Sequence, residues 1–224
     1  MTPMLPPRRR GAGPGIGDWW RERVLPRVNH RALAGRDADA WRAPVCAAAT
    51  GVVLDIGFGS GPNLPHYGAH VGRVLAAEPS DLAWSLAAQR VRDFGRPVER
   101  VSTDAATLTG LGDDSVDSAV VAWSLCTVPD LTGALREVRR VLRPGGALHF
   151  VEHAAAPDED VARRQRRIQP FWEPVAGGCH LDRDLPALLA AAGFEVEVTR
   201  ARYVTVGPMR PWGWFVSGAA RLPG

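Results

Sequence analysis

The stretch Leu54-Asp55-Ile56-Gly57-Phe58-Gly59-Ser60-Gly61-Pro62-Asn63 sets three glycines at alternate positions directly after a short apolar run. Glycine lets a backbone approach a ligand closely, and a helical turn that follows offers unpaired N–H groups to an anion. A dinucleotide loop requires G-x-G-x-x-G/A. Counted from Gly57 and Gly59 the sixth position is Pro62, and counted from Gly59 and Gly61 it is Leu64, so both frames fail. What stands is D-x-G-x-G-x-G. Glu78 closes the next apolar run, where a carboxylate can accept hydrogen bonds from both hydroxyls of a ribose.

Further along, His153 closes the fifth apolar run. An imidazole there can take a proton from a thiol or phenol near neutral pH, although His153 or Glu152 can equally well do no more than close a strand end. Cys126 follows Trp123, Ser124 and Leu125 after the fourth run. With no activating group beside it in the chain, it reads as a small packing residue of a pocket wall rather than a nucleophile. In the long connection after the fifth run, Gln169, Phe171, Trp172 and His180 can line an aromatic acceptor pocket. Cys179 and His180 are adjacent and lack further partners in sequence, so no metal site is expected. Arg163, Arg164, Arg166 and Arg167 follow Asp158-Glu159-Asp160 and read as a solvated helix face with its acids at the N-terminus, or as a contact for an acidic surface.

These residues need a scaffold, and the apolar pattern supplies one. Short runs at Gly51–Ile56, Arg73–Glu78, Val98–Ser102, Val116–Trp123, Ala147–Glu152, Phe194–Thr199 and Trp212–Ala219 read as seven strands. Helical patterns fill the gaps: Ser80–Phe94, a segment capped by Asp130 that stops at Arg143-Pro144-Gly145-Gly146, and Asp182–Ala192 closed by Gly193. Strands alternating with helices predict an α/β fold, a mostly parallel seven-stranded sheet with helices on both faces. Ahead of it, residues 1–17 are Pro, Gly and Arg and read as a disordered head. Residues 18–224 then form one domain. It opens with lid helices over 18–49, from Trp19 to His30 and from Arg36 to Ala49, the latter interrupted near Pro44.

Composition narrows the classes. At 224 residues the chain can bury a full core without staples. Three cysteines without CxxC spacing argue against a disulfide scaffold or structural zinc. All 27 basic residues are arginine, and against 24 acids they leave +3, too little to make nucleic acid the leading partner. No apolar run reaches the roughly 18–20 residues of a membrane span, and the basic N-terminus lacks the apolar core of a signal peptide. A cytoplasmic protein without an integral membrane segment is expected.

With these motifs in order, the chain from about Gly51 onward resembles the class I methyltransferases that use S-adenosylmethionine. The resemblance implies a Rossmann-like methyltransferase fold. It assigns Asp55, Gly57, Gly59 and Gly61, with Asn63, to the methionine part of the cofactor. Glu78, with Pro79, falls to its ribose and Asp104-Ala105 to its adenine, while Trp123, Ser124 and Leu125 form the pocket wall. Asp113-Asp114-Ser115-Val116-Asp117 and Leu142-Arg143-Pro144-Gly145-Gly146 match two further turns of that family. A narrower resemblance rests on Leu125-Cys126-Thr127-Val128-Pro129-Asp130, Phe150-Val151-Glu152-His153 and Gly178-Cys179-His180-Leu181. It points to the group whose animal members are membrane-associated alkyl-thiol methyltransferases, which begin with a hydrophobic anchor where this chain begins with a polar head. Ubiquinone and phospholipid methyltransferases share much of the pattern. The implied reaction is methyl transfer to a small, apolar or thiol- or hydroxyl-bearing acceptor, with His153 as base and Cys126, Gln169, Trp172 and His180 around the acceptor. The alternatives are a lipid or quinone methyltransferase in peripheral contact with a membrane, and a non-catalytic module that only binds the cofactor. The Asn/Asp-Pro-Pro-Tyr/Phe motif of nucleic-acid amino methylation is absent, since Ser124-Leu125-Cys126 stands in its place.

Overall fold

The computed structural model describes residues 16–33 and 35–223. Apart from Ile16 and Gly17, which begin a helix, the polar head lies outside the described residues. Seven strands form one sheet: β1 (Gly51–Ile56), β2 (Val71–Ala77), β3 (Val98–Ser102), β4 (Val116–Ala122), β5 (Leu142–His153), β6 (Glu195–Tyr203) and β7 (Trp214–Arg221). Their order is β3-β2-β1-β4-β5-β7-β6. Pairing is parallel from β3 through β5, and β7 runs antiparallel between β5 and β6. The chain moves outward from β1 on one side and returns to place β4 on the other. The crevice at the C-terminal ends of β1 and β4 is therefore the switch point where open α/β sheets bind ligands.

Both faces of the sheet are covered. Leu54, Ile56, Val121, Leu148 and Phe150 pack with Leu135, Val138 and Leu189 on one face. Val53, Val74, Val120 and Val151 pack with Trp41, Val45 and Phe58 on the other. The covering helices are α1 (Ile16–Trp19), α2 (Leu25–Ala32), α3 (Arg36–Ala47), α4 (Asp81–Leu86), α5 (Ala88–Phe94), α6 (Leu131–Val141), α7 (Glu159–Val175) and α8 (Leu185–Ala191). A π-helical turn, Trp20–Val24, joins α1 to α2.

Several boundaries differ from the sequence reading, each for a local reason. Pro44 does not interrupt α3. Proline removes the hydrogen bond to the carbonyl four residues back, and here that carbonyl, of Ala40, is satisfied by Arg200 Nη1 at 3.0 Å. The helical pattern Ser80–Phe94 divides at Ala87 into α4 and α5. Strand β5 begins at Leu142 rather than Ala147: Arg143-Pro144-Gly145-Gly146 ends α6 but continues as extended chain, with Gly145 at φ 77° absorbing the bend. The cap of α8 is Asp184, which accepts from Ala187 N–H at 3.1 Å, and Asp182 lies outside the helix. The largest difference is α7, a helix of 17 residues that runs through Pro170 and Pro174 where much of the segment reads as loop.

Candidate functional site

The loop after β1 takes its shape from left-handed glycines and one buried acid. Gly57, Gly59 and Gly61 have φ of 67°, 59° and 73°, backbone that side chains rarely adopt. Asp55 is fully buried below the loop and accepts hydrogen bonds from Asn63 Nδ2 (2.9 and 3.1 Å) and Tyr67 Oη (2.8 Å). Its carboxyl is pushed up to about 7 by burial, against the pull of those donors. Asp55 thus sets the loop from beneath, its oxygens taken up by Asn63 and Tyr67. Glu78 accepts from Gly59 N–H and from Ser80 N–H, both at 2.7 Å, and burial raises its carboxyl above the ordinary range. It therefore ties the glycine loop to the end of β2, while the next residue, Pro79, is exposed.

The loop after β4 meets the glycine loop edge to edge. A Cβ on Gly57 would lie 1.9 Å from Ser124 Oγ. Trp123 is buried and holds φ 55°, a strained angle for a large residue and one that clusters at functional sites. The loop is fixed by Glu152, buried with no exposure, whose Oε1 accepts from Ser124 N–H (2.7 Å) and Leu125 N–H (2.8 Å) and whose Oε2 accepts from Cys126 N–H (3.3 Å). Burial pushes this carboxyl up to about 7 while the backbone donors pull it down. Asp104 turns the chain after β3 by accepting from Ala106 N–H at 2.9 Å, next to buried Ala105.

The residues present fit a nucleoside-bearing cofactor at this crevice. Among the described residues nothing but the Gly57 carbonyl, 3.8 Å away, stands within reach of a Cβ on Gly59, so a ligand can press against that backbone. Among the described residues the buried polar atoms Asn63 Oδ1 and Trp123 Nε1 find no hydrogen-bond partner, which is costly unless a ligand or water meets them.

Beyond the loop after β4 the fold gathers Cys126, His153 and Cys179. Cys179 Sγ lies 3.7 Å from Cys126 Sγ and 3.8 Å from His153 Nδ1, and the His153 ring meets Phe215 edge-on at 4.7 Å. Cys126 and the imidazole favour the thiolate at Cys179 and push its thiol down, while the shared contact and burial push Cys126 up. Gln169 holds this corner: Nε2 donates to the Cys179 carbonyl (3.1 Å) and lies 3.2 Å from His180 Nδ1, and Oε1 accepts from Leu181 N–H (2.9 Å). His180 N–H in turn donates to the Cys126 carbonyl at 2.8 Å. Trp172 packs against Trp212 at 6.1 Å. Phe171 does not join the pocket. It is 79% exposed, because it occupies the outer face of α7. The partners of Cys179 sit in the loop after β4 and at the end of β5, far from it in sequence, and only the fold brings them together.

The N-terminal helices reach both halves of the crevice. His30 Nδ1 and Ser60 Oγ are 2.8 Å apart, placing α2 over the glycine loop. Trp20 Nε1 donates to the Val175 carbonyl at 2.8 Å, joining the N-terminal helical segment to the end of α7.

Comparison with known proteins agrees with this geometry. The family described as "Methyltransferase domain" matches residues 54–150. Thiol S-methyltransferase TMT1B of Homo sapiens is 34% identical over 167 residues, covering 70% of this chain and 67% of that protein. The ubiquinone/menaquinone biosynthesis C-methyltransferase UbiE of Shewanella sediminis is 32% identical, covering 66% and 68%. Among solved structures, a methyltransferase dependent on S-adenosylmethionine from Thermotoga maritima superposes with a TM-score of 0.64 at 22% identity, over 91% of this chain and 99% of that one.

Proposed function

The chain belongs to the S-adenosylmethionine-dependent methyltransferases, and we propose that its acceptor is a small thiol whose proton passes to His153. The observation that carries this reading is the placement of His153 and two sulfurs at the same sheet edge as the glycine loop, one strand over from Ser124. The corner where Cys126 and Cys179 pack with Leu181, Trp172 and Trp212 is apolar, which suits a soft sulfur acceptor better than an amine or carboxylate. The similarity to thiol methyltransferases supports the same class.

The cofactor, when bound, supplies a sulfonium methyl that is already activated as an electrophile. What remains for the protein is to orient, desolvate and remove one proton. Gly57, Gly59, Gly61, Asn63, Glu78, Asp104 and Trp123 are proposed to hold the donor. His153 accepts the acceptor's proton as its sulfur becomes a thiolate. Gln169 and His180 brace the floor, and the helices from Ile16 to Ala47 exclude water. Three free cysteines, two of them 3.7 Å apart and unjoined, fit a reducing cytoplasm.

A second reading is favoured by one surface. Phe171 and Val175 are exposed on α7, the helix that also carries Arg163, Arg164, Arg166 and Arg167, and Val206 and Met209 are exposed on the turn after β6. Such a surface suits peripheral contact with a membrane holding a quinone or lipid acceptor, and no described helix is long and apolar enough to cross one. The deciding assay follows S-adenosylhomocysteine release with small alkyl thiols, phenols and quinones, with and without anionic vesicles. Turnover with thiols that needs no vesicles, and that His153→Ala abolishes without weakening cofactor binding, supports the first reading. Turnover only with quinone and vesicles replaces it by the second.

A further inference from the structure

Cys126, His153 and Cys179 come from three different connections: the loop after β4, the end of β5 and the turn after α7. They are 53 residues apart between the cysteines and 26 between Cys179 and His153, so no local spacing announces them. Yet their side-chain ligand atoms, two sulfurs and one ring nitrogen, all lie within 4.8 Å of one another. Zinc holds sulfur at about 2.3 Å and imidazole nitrogen at about 2.0–2.1 Å in a tetrahedron, which sets the ligand atoms about 3.8 Å apart for two sulfurs and about 3.6 Å for sulfur and nitrogen. The observed separations are 3.7 Å and 3.8 Å. Two sulfurs in ordinary packing contact also reach this distance. The imidazole closing the third corner sets the cluster apart.

The surroundings hold the three groups in that arrangement before any ion arrives. Glu152 is not a ligand, because both its oxygens are spent on the backbone of Ser124, Leu125 and Cys126, and by that it fixes the Cys126 loop. Gln169 fixes Cys179 through its carbonyl. His180 N–H ties the two cysteine loops together. Such supporting hydrogen bonds around a ligand set tune metal affinity strongly. Both cysteines are buried among Leu181, Ile168, Trp172 and Trp212, and His153 is the member that solvent reaches. Three protein ligands with a fourth position left to water or substrate is the pattern of catalytic rather than structural zinc.

We propose that Cys126, His153 and Cys179 bind a zinc-class divalent cation whose fourth ligand is the acceptor's sulfur. The two thiolates neutralise the ion's charge, so the centre suits an apolar corner. When an acceptor thiol binds, its S–H bond breaks, a sulfur–metal bond forms in place of a water, and the proton leaves to solvent. A coordinated thiol is deprotonated outright. In the loaded protein His153 is thus a ligand, and coordination takes over the deprotonation assigned above to the free imidazole. The metal site stands on the geometry alone. Its fourth ligand rests on the thiol-acceptor reading.

The test uses the full chain, purified without chelator or polyhistidine tag. Metal per chain is measured by mass spectrometry, then the ion is removed and the protein titrated with cobalt(II). The expected result is one ion per chain, sulfur-to-cobalt charge-transfer bands and the intense visible bands of a tetrahedral centre. Cys126→Ser, Cys179→Ser and His153→Asn each lose the spectrum, Gln169→Ala weakens cobalt binding by about 10–100-fold, and ethanethiol shifts the bands. Calorimetry with S-adenosylmethionine on the same variants shows that they remain folded and keeps the two proposals separate. Cobalt that stays octahedral, a spectrum that survives loss of both cysteines, or a native mass lower by two hydrogens from a Cys126–Cys179 disulfide overturns the site. A tetrahedral centre that ignores ethanethiol overturns the thiol ligand alone.

Discussion

Gly57→Ala isolates the contact on which the cofactor crevice depends. Two costs arise. Alanine at φ 67° occupies left-handed backbone, at about 1–2 kcal/mol. Its methyl also falls 1.9 Å from Ser124 Oγ and 2.4 Å from Ser124 Cβ. A rotamer change moves the oxygen but not the Cβ, so the two loops must part. The Ser124 backbone resists, because its N–H is held by Glu152 Oε1 at 2.7 Å. Overpacking of this kind costs roughly 1–3 kcal/mol, for a sum of about 2–5 kcal/mol, a large part of the stability of a typical domain. Urea denaturation and calorimetry with S-adenosylmethionine measure the two consequences, a lower unfolding free energy and weakened binding. The double variant Gly57→Ala/Ser124→Gly separates them, since removing the Ser124 Cβ returns the steric share and leaves about 1–2 kcal/mol of backbone strain. If Gly57→Ala alone matches the wild type, or if Ser124→Gly recovers nothing, the loop contact described here is wrong.

Four further outcomes follow from the same geometry. Glu78→Gln keeps the shape but leaves one oxygen for two N–H donors, Gly59 and Ser80, so S-adenosylmethionine binding weakens by roughly 10–100-fold, about 1.4–2.7 kcal/mol, in calorimetry. Asp55 holds a proton up to about 7 in the folded chain against an ordinary 3.8. Between these values the folded state binds the proton and the unfolded state has released it, so stability falls as pH rises through this window and levels off above it. At about 1.4 kcal/mol per unit the loss approaches about 4 kcal/mol, and Asp55→Asn removes its share of the slope in urea titrations from pH 4 to 8 (roughly the window set by this linkage). Trp20→Phe deletes the hydrogen bond to the Val175 carbonyl, worth about 1 kcal/mol. It raises the acceptor KM with little change in cofactor affinity, whereas equal effects on both would show that this helix is not an acceptor-side lid. His153→Ala lowers kcat on the order of 100-fold or more and leaves cofactor calorimetry unchanged.

The cofactor half of the site was legible because its residues are local. Asp55 through Asn63 lie in one loop, Glu78 ends the next strand, and the strand–glycine–turn order carries its own meaning. The strand pattern was legible for a related reason: runs such as Gly51–Ile56 and Val98–Ser102 are short, buried and bounded by turn residues, and the structure reproduces their limits. Helix α7 was harder to see, because Pro170 and Pro174 are breakers by local propensity. Tertiary context overrides them, as Gln165 and Gln169 bury their amides in backbone partners of neighbouring loops. Pro44 shows the same effect through a single cation, Arg200, supplied from β6.

The acceptor half was legible only in pieces, and the reason is physical. Its residues lie at the mouths of β4 and β5 and beyond α7, and their chemistry depends on each other. Cys126 read as a packing residue because nothing adjacent in sequence could activate it, and Cys179 with His180 read as no metal site because the pair lacks further partners in sequence; in the fold His180 faces Gln169. Cys179 in fact meets both Cys126 and His153, the latter being the residue singled out as a base on strand position alone. Glu152 has the complementary history. It read only as the close of a strand end, and its oxygens hold the β4 loop. One carboxylate therefore fixes two things at once: the Ser124 edge that meets the glycine loop, and the Cys126 edge of the proposed acceptor corner. Glu152→Ala leaves three buried N–H groups without acceptors, at about 1–3 kcal/mol for each unsatisfied group. Donor binding and acceptor turnover must then fail together. A variant that lost only one would show that the two halves of the crevice are positioned independently.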